Sequence, residues 1–199
     1  MLMQIAEKFH NDTSARGGRL EVICGPMFSG KTMELLKRVE LAKANGRRVV
    51  VIKPSIDTRY SENKVVSHNK VEADAVVVGK SNEILEAAQN AEVMAIDEVQ
   101  FFDAGIVDLC QTLVNRGVRV VVCGLDLDSS GKPFGSMPEL LVYADDVVKL
   151  HATCSQTGEP ARYTYRHSGG NNTVEVGEKN LYMPLSRNAF LKEMNKKPK

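Results

Sequence analysis

No charge of either sign dominates this chain: Lys and Arg number 26 against 25 Asp and Glu, leaving a net charge of +1. A balance that near to neutral argues against a dedicated nucleic-acid surface, which would carry a basic excess. Cysteines are few, at Cys24, Cys110, Cys123 and Cys154, and their spacing suggests no disulfide framework. Cys24 and Cys123 stand in or beside apolar runs, where a free thiol behaves as a small hydrophobe. A reducing, intracellular compartment is expected. Long hydrophobic runs are missing too. Runs such as residues 49–52 fall far short of the roughly 20 apolar residues a membrane span needs. Residues 1–9 are interrupted by Glu7 and Lys8 and show neither a basic leader nor a cleavage-like site, so they do not read as a signal peptide. A cytoplasmic location, with no membrane partner, is the expectation. There is no internal repeat, and no low-complexity stretch beyond the C-terminal lysines.

What remains is an ordinary globular composition, 43% hydrophobic and 26% charged over 199 residues. That length fits one domain with a small appendage and can bury a core without metal or disulfide staples. Residues 1–18 are polar and expected to be flexible. From residue 19 apolar runs alternate with helical patterns. Strands are expected at 20–24, 48–53, 75–78, 93–97, 118–123 and 147–150. Helices are expected at about 32–45, 83–88 (capped by Ser81 or Asn82) and 106–114, with a short one after a Gly, Ser and Pro-rich loop at 124–138. Residues 55–70, polar and rich in Ser and Asn, read as a surface loop. Strands separated by helices imply an α/β fold: a parallel sheet with helices on both faces, over residues 19–150. Residues 162–166 and 173–176 alternate like strands around Ser168, Gly169, Gly170 and Asn171, a hairpin signature. Residues 151–190 thus read as a small β-hairpin-containing C-terminal unit, and 191–199 as a basic tail.

The chemistry concentrates in two places. Gly25, Pro26, Met27, Phe28, Ser29, Gly30, Lys31 and Thr32 match G-x-x-x-x-G-K-[ST] between a strand and a helix. The glycines let backbone N–H groups converge on phosphate oxygens, and the helix N-terminus adds positive potential. This is a P-loop NTPase-like arrangement. Lys31 is expected to reach the β- and γ-phosphates of ATP, and the Thr32 hydroxyl to bind Mg²⁺. An apolar strand ending in Asp97 supplies the partner acid for the magnesium shell. Glu98 follows, then Val99, Gln100, Phe101 and Phe102. Adjacent carboxylates at a strand end can divide the work, one on metal and the next taking the proton of an acceptor hydroxyl. Glu98 is the candidate base. In an ATPase the same residue would polarise water. Phe101 and Phe102 can stack on a nucleobase, with core packing as the competing role for each.

Together the segments GPMFSGKT, KPSIDTRY, DEVQFF, CGLDLD, KPFGSMPEL and the Tyr182 region resemble the thymidine kinases of the small, zinc-bearing, homotetrameric type, from residue 19 to about 187. The resemblance implies ATP- and Mg²⁺-dependent phosphorylation of the thymidine 5′-hydroxyl, with Glu98 as catalytic base. It implies that Asp57 and Arg59 lie near magnesium and the phosphates, where the Arg59 guanidinium would stabilise charge on the transferring group. Val99 and Gln100 join Asp97 and Glu98 on the ATP side by the same likeness. Met27, Phe101, Leu125, Phe134, Thr164, Val174 and Tyr182 fall at positions that line the family's thymine pocket, with residues 164–182 as its lasso-like loop. Thymidine triphosphate as feedback inhibitor and a homotetrameric assembly are also implied.

One departure stands out. The family's small domain carries zinc on four ligands; here the corresponding positions are Cys154, Thr157, Ser186 and Ala189, and neither a hydroxyl nor a methyl replaces thiolate. No structural zinc is therefore expected, and Tyr163, Tyr165, Val174 and Val176 are expected to hold the lobe instead. A site assembled from His151, Cys154 and His167 would still lack a fourth ligand. Two other readings of the phosphate loop stay open at this stage: a helicase-like motor, since Asp97-Glu98-x-Gln100 resembles that acidic motif, and an ATP-gated switch. A motor needs a second nucleotide-binding lobe, for which 199 residues leave no room. A GTPase is disfavoured because no N-K-x-D motif occurs.

Overall fold

A computed structural model describes residues 17–57, 64–66, 72–167 and 181–196. Six parallel strands form the central sheet: β1 (Arg19–Cys24), β2 (Val49–Pro54), β5 (Val76–Val78), β6 (Val93–Ile96), β7 (Arg119–Gly124) and β8 (Asp146–Lys149), in the order β5-β2-β6-β7-β1-β8. β-Branched valine and isoleucine dominate these strands, and they suit a surface covered on both sides. Successive side chains alternate between faces. On one face Leu20, Val22, Cys24, Met94, Ile96, Val120 and Val122 form a core with α3 (Gly105–Asn115) and α4 (Met137–Tyr143), joined by Ile84 of the short α2 (Ile84–Ala87). On the other, Ile23, Val51, Ala95, Val121 and Cys123 meet Leu35, Leu36 and Val39 of α1 (Lys31–Ala44). No helix among the described residues is long and apolar enough to cross a membrane.

Four features differ from the sequence-based expectations. Within the segment 55–70 expected to be only loop lies β3 (Lys64–Val66), which pairs antiparallel with β4 (Glu72–Asp74) in a two-stranded ribbon that buries Val65 and Ala73 against the α1 side of the sheet. A 3-10 turn (Ser81–Glu83) precedes α2, and Ser81 caps nothing there, its hydroxyl donating to Asp103 at 2.6 Å instead. In the C-terminal lobe, after β9 (Ala152–Thr153) and β10 (Pro160–Ala161), strand β11 (Tyr163–Arg166) pairs antiparallel with β12 (Tyr182–Leu185). The expected hairpin partner at 173–176 lies outside the described residues. Finally, α5 (Arg187–Met194) runs through the boundary expected at 190, so the basic tail begins within a helix. Phe190 anchors that helix: its ring stacks on Tyr163 at 4.4 Å and meets Tyr165 edge-on at 6.2 Å.

At the amino edge of the sheet sits a buried ion cluster. Glu21, 1% exposed, accepts hydrogen bonds from Arg38 of α1 at 2.5 Å and from Arg119 of β7 at 2.6 and 3.0 Å, with Arg19 at 3.0 Å. Burial alone would push the Glu21 carboxyl up; the hydrogen bond and charge of Arg119, then the charges of Arg38 and Arg19, outweigh it and hold the group below its ordinary value of 4.5. Glu21→Ala removes the buried carboxylate that Arg19, Arg38 and Arg119 share and is expected to cost about 3–5 kcal/mol of stability at neutral pH. A depressed folded-state value stabilises above the unfolded value and loses that contribution as pH falls through the folded one. The gap between wild type and variant, measured by urea unfolding, therefore narrows in acid. A gap under about 1 kcal/mol at pH 7, or one unchanged into acid, contradicts this reading.

Candidate active site

Parallel pairing brings three strand ends to one edge. Cys24 of β1 pairs with Gly124 of β7, and Ile96 of β6 with Val122 of β7, so the loops after β1, β6 and β7 emerge side by side. Such carboxyl edges are where open α/β sheets bind ligands.

The loop after β1 closes on itself. Gly25 has φ +145, and a Cβ there would lie 2.4 Å from the Leu150 carbonyl oxygen, so no larger residue fits. The Pro26 carbonyl accepts from Ser29 Oγ at 2.8 Å and from Lys31 Nζ at 2.9 Å. The Lys31 ammonium, only 8% exposed, thus spans the loop. α1 begins at Lys31 with Gly30 at its N-cap and no side-chain cap bond, and the positive end of a helix favours an anion.

Asp97 follows β6 and is held from three directions. Thr32 Oγ1 lies 3.4 and 3.5 Å from its carboxylate oxygens, the Glu98 N–H donates to Oδ1 at 3.0 Å, and the Cys123 thiol donates to the same oxygen at 2.7 Å. Burial, then the Asp97 charge, push the Cys123 thiol well above its ordinary value, so it stays a donor. The Thr32 and Asp97 oxygens face each other at a separation long for a hydroxyl hydrogen bond but suited to sharing a hard cation such as Mg²⁺.

Glu98 is the unusual residue. It adopts a left-handed conformation (φ 48, ψ 43), costly for a residue with a Cβ, and is 7% exposed. It opens the 3-10 turn Val99–Phe101. Gln100 Nε2 donates to Glu98 Oε2 at 2.6 Å, and Gln100 Oε1 accepts from the Leu125 N–H at 3.1 Å.

The two phenylalanines divide. Phe102 joins the core on the α3 side, while half-buried Phe101 meets half-buried Phe134 edge-on at 5.7 Å. The phosphate loop also touches the C-terminal lobe: the Met27 N–H donates to Thr164 Oγ1 at 2.9 Å. Tyr182 sits on β12, opposite Arg166 of β11. Asp57 is buried beyond β2, its N–H bonded to the Pro54 carbonyl at 3.0 Å. Arg59 and Val174 lie outside the described residues. Two residues were not foreseen from the residue pattern. Cys123 read only as a strand hydrophobe. Asp126, buried after β7, pairs with Lys149 at 2.6 Å, and its Oδ1 has no hydrogen-bond partner among the described residues.

The zinc positions do converge, but not as a metal site. Burial pushes the Cys154 thiol up, yet hydrogen bonds from the Thr157 hydroxyl and from the Ser186, Gln156 and Thr157 N–H groups bring it down to about 6. Around it stand the Ser186 hydroxyl, buried without a partner among the described residues, and the Ala189 methyl, in the apolar cluster with Cys154, Tyr163 and Phe190. One thiol with hydroxyls and a methyl does not meet the four N or S donors structural zinc requires. His151 and His167 are exposed, and among the described residues no group of three or more His, Cys, Asp or Glu could hold a metal.

Domain III of the Thermotoga maritima replication initiation protein DnaA aligns at TM-score 0.44 and 14% identity, over 75% of this chain and 60% of that one. A Bacteroides thetaiotaomicron protein named thymidine kinase is 44% identical over 190 residues, covering 96% of both chains. A Porphyromonas gingivalis protein of the same name is 47% identical over 186 residues, covering 94% of this chain and 91% of its own. The protein-family model described as thymidine kinase matches residues 18–190, a span that takes in the phosphate loop, the Asp97–Glu98 pair and the C-terminal lobe alike. The chain belongs to the thymidine kinase family.

Proposed function

We propose that this chain transfers the γ-phosphoryl group of ATP to the 5′-hydroxyl of thymidine, yielding thymidine monophosphate for DNA precursor synthesis. The observation that carries the reading is Glu98: a buried carboxylate in a strained conformation, next to Asp97 and beside an anion-binding loop. In transfer, the 5′-oxygen bonds to the γ-phosphorus, the bond from that phosphorus to the bridging oxygen breaks, ADP departs, and the hydroxyl proton passes to Glu98. Lys31 and the α1 N-terminus hold the phosphates. Thr32 and Asp97 would hold Mg²⁺, which neutralises developing phosphate charge when bound. Asp57 and Arg59 would flank the phosphates, and Val99 and Gln100 belong to the same wall. Met27, Phe101, Leu125, Phe134, Thr164, Val174 and Tyr182 would enclose the base. The Met27–Thr164 bond supports this enclosure, since it ties the phosphate loop to the lobe.

Further parts of the proposal rest on the family and on particular features. Thymidine triphosphate would inhibit by spanning the nucleoside and phosphate sites. A homotetramer is supported by exposed apolar side chains: Val147 of edge strand β8 at 44%, and Val142 and Tyr143 of α4 at 81% and 54%. Four free, buried cysteines suit a cytoplasmic location. The C-terminal lobe would do without zinc, held by the Tyr163–Phe190 stack and by the Arg187 guanidinium 5.3 Å from the Tyr163 ring centroid.

A radiolabelled-ATP assay across deoxynucleosides tests the main reading. Label is expected on thymidine, and Glu98→Ala is expected to lower kcat by about 10²–10⁴-fold. No transfer to thymidine, or a Glu98→Ala enzyme within about tenfold of wild type, would remove it. Elemental analysis of chelator-treated, Mg²⁺-restored enzyme tests the lobe: full activity with far less than one zinc per chain is expected, and one tightly held zinc per chain refutes it.

A further inference from the structure

We infer that Gln100 is a positioning residue for Glu98, fixing the base through a hydrogen-bond relay anchored on the Leu125 backbone. The inference rests on Glu98 being the base. A backbone N–H can only donate, so the Leu125 N–H, 3.1 Å away, requires the oxygen of the Gln100 amide. That leaves the NH₂ end no choice but to face Glu98, where Nε2 donates to Oε2 at 2.6 Å. The orientation of the amide is set by its surroundings rather than by the side chain. The bond fixes one oxygen of the Glu98 carboxylate in place. It also limits rotation of a side chain whose left-handed backbone already departs from the common conformations. Gln100 is 3% exposed, and its amide is engaged at both ends within the protein.

The neighbouring backbone is shaped around this relay. At Gly124, a Cβ would stand 2.4 Å from Gln100 Oε1. At Gly135, a Cβ would stand 2.5 Å from the Gln100 main-chain oxygen. Any side chain at either position would push Gln100 away from Glu98 or from Leu125. These glycines belong to the CGLDLD and KPFGSMPEL segments, beside the Leu125 and Phe134 proposed to enclose the base. Leu125 is itself one of the residues proposed to face thymine, so the backbone that anchors the relay borders the nucleoside. The relay thereby joins the base-binding wall to the carboxylate that takes the proton.

The test compares Gln100→Leu and Gln100→Glu with wild type and with Glu98→Ala, each also checked by melting temperature and by thymidine binding. Ionised glutamate keeps the shape and the acceptor for Leu125 but loses the donor to Glu98 and sets a second negative charge beside it. Both variants are expected to lose about 10–100-fold in kcat, with KM for ATP and for thymidine little changed. Added to Glu98→Ala, neither should cause further loss, because the two residues act as a unit. The proposal is overturned if Gln100→Glu keeps activity within about twofold, if the losses multiply with that of Glu98→Ala, or if KM for ATP rises at constant kcat. Should Gln100→Leu fail to fold, the isosteric Gln100→Glu carries the comparison. An active Glu98→Ala enzyme would instead sink the assignment of the base, whatever Gln100 does.

Discussion

Strand β7 lies between β1 and β6, and that parallel pairing is the constraint on which the rest depends. It sets the phosphate loop after β1 and the acidic pair after β6 at neighbouring strand ends, each one strand away from β7. The exit of β7 then reaches both carboxylates, with the Cys123 thiol on Asp97 and the Leu125 N–H acting on Glu98 through Gln100. A slip of one residue in this register would turn every one of these side chains to the opposite face. The two apolar cores, one on each side of the sheet, oppose such a slip.

The sheet carries buried charge at both edges and treats it differently. At the amino edge Arg19, Arg38 and Arg119 meet Glu21, with Glu34 and Asp146 close by, so the charges balance and the cluster is structural. At the carboxyl edge Asp97 takes bonds from a backbone N–H and a thiol, with the Thr32 hydroxyl facing it, and Glu98 takes one from an amide. Those donors are neutral. They orient the carboxylates without cancelling their charge, which leaves it available to a cation at one and a proton at the other. The left-handed backbone of Glu98 is a local cost of that arrangement, sustained by the surrounding cores.

Most of this architecture was legible in the sequence where local pattern and long-range structure agree. The helix expected at 32–45 forms at Lys31–Ala44, and the strands before and after it stand within a residue or two of their expected places. Asp97 and Glu98 were visible as an acid pair closing an apolar strand. What escaped depends on partners distant in the chain. The β3–β4 ribbon exists because Val65 and Ala73 find the α1 side of the sheet, which a polar segment does not announce. β12 contains Pro184, which reads as a breaker yet is tolerated in a short two-stranded pair. The helix α5 was hidden by the basic composition around it, while Phe190 stacks on Tyr163 from another strand. The Leu125 N–H on Gln100 and the Cys123 thiol on Asp97 show the same limit: these partners lie 25 and 26 residues apart, across the sheet edge.

The central claim is that Glu98 meets the acceptor hydroxyl beside the phosphate loop. A crystal structure with thymidine, Mg²⁺ and a non-hydrolysable ATP analogue tests it most directly. The account predicts the thymidine 5′-oxygen within about 3.2 Å of a Glu98 carboxylate oxygen and facing the γ-phosphate. A nucleoside bound with its 5′-oxygen turned from Glu98, and no water bridging the two, would contradict it.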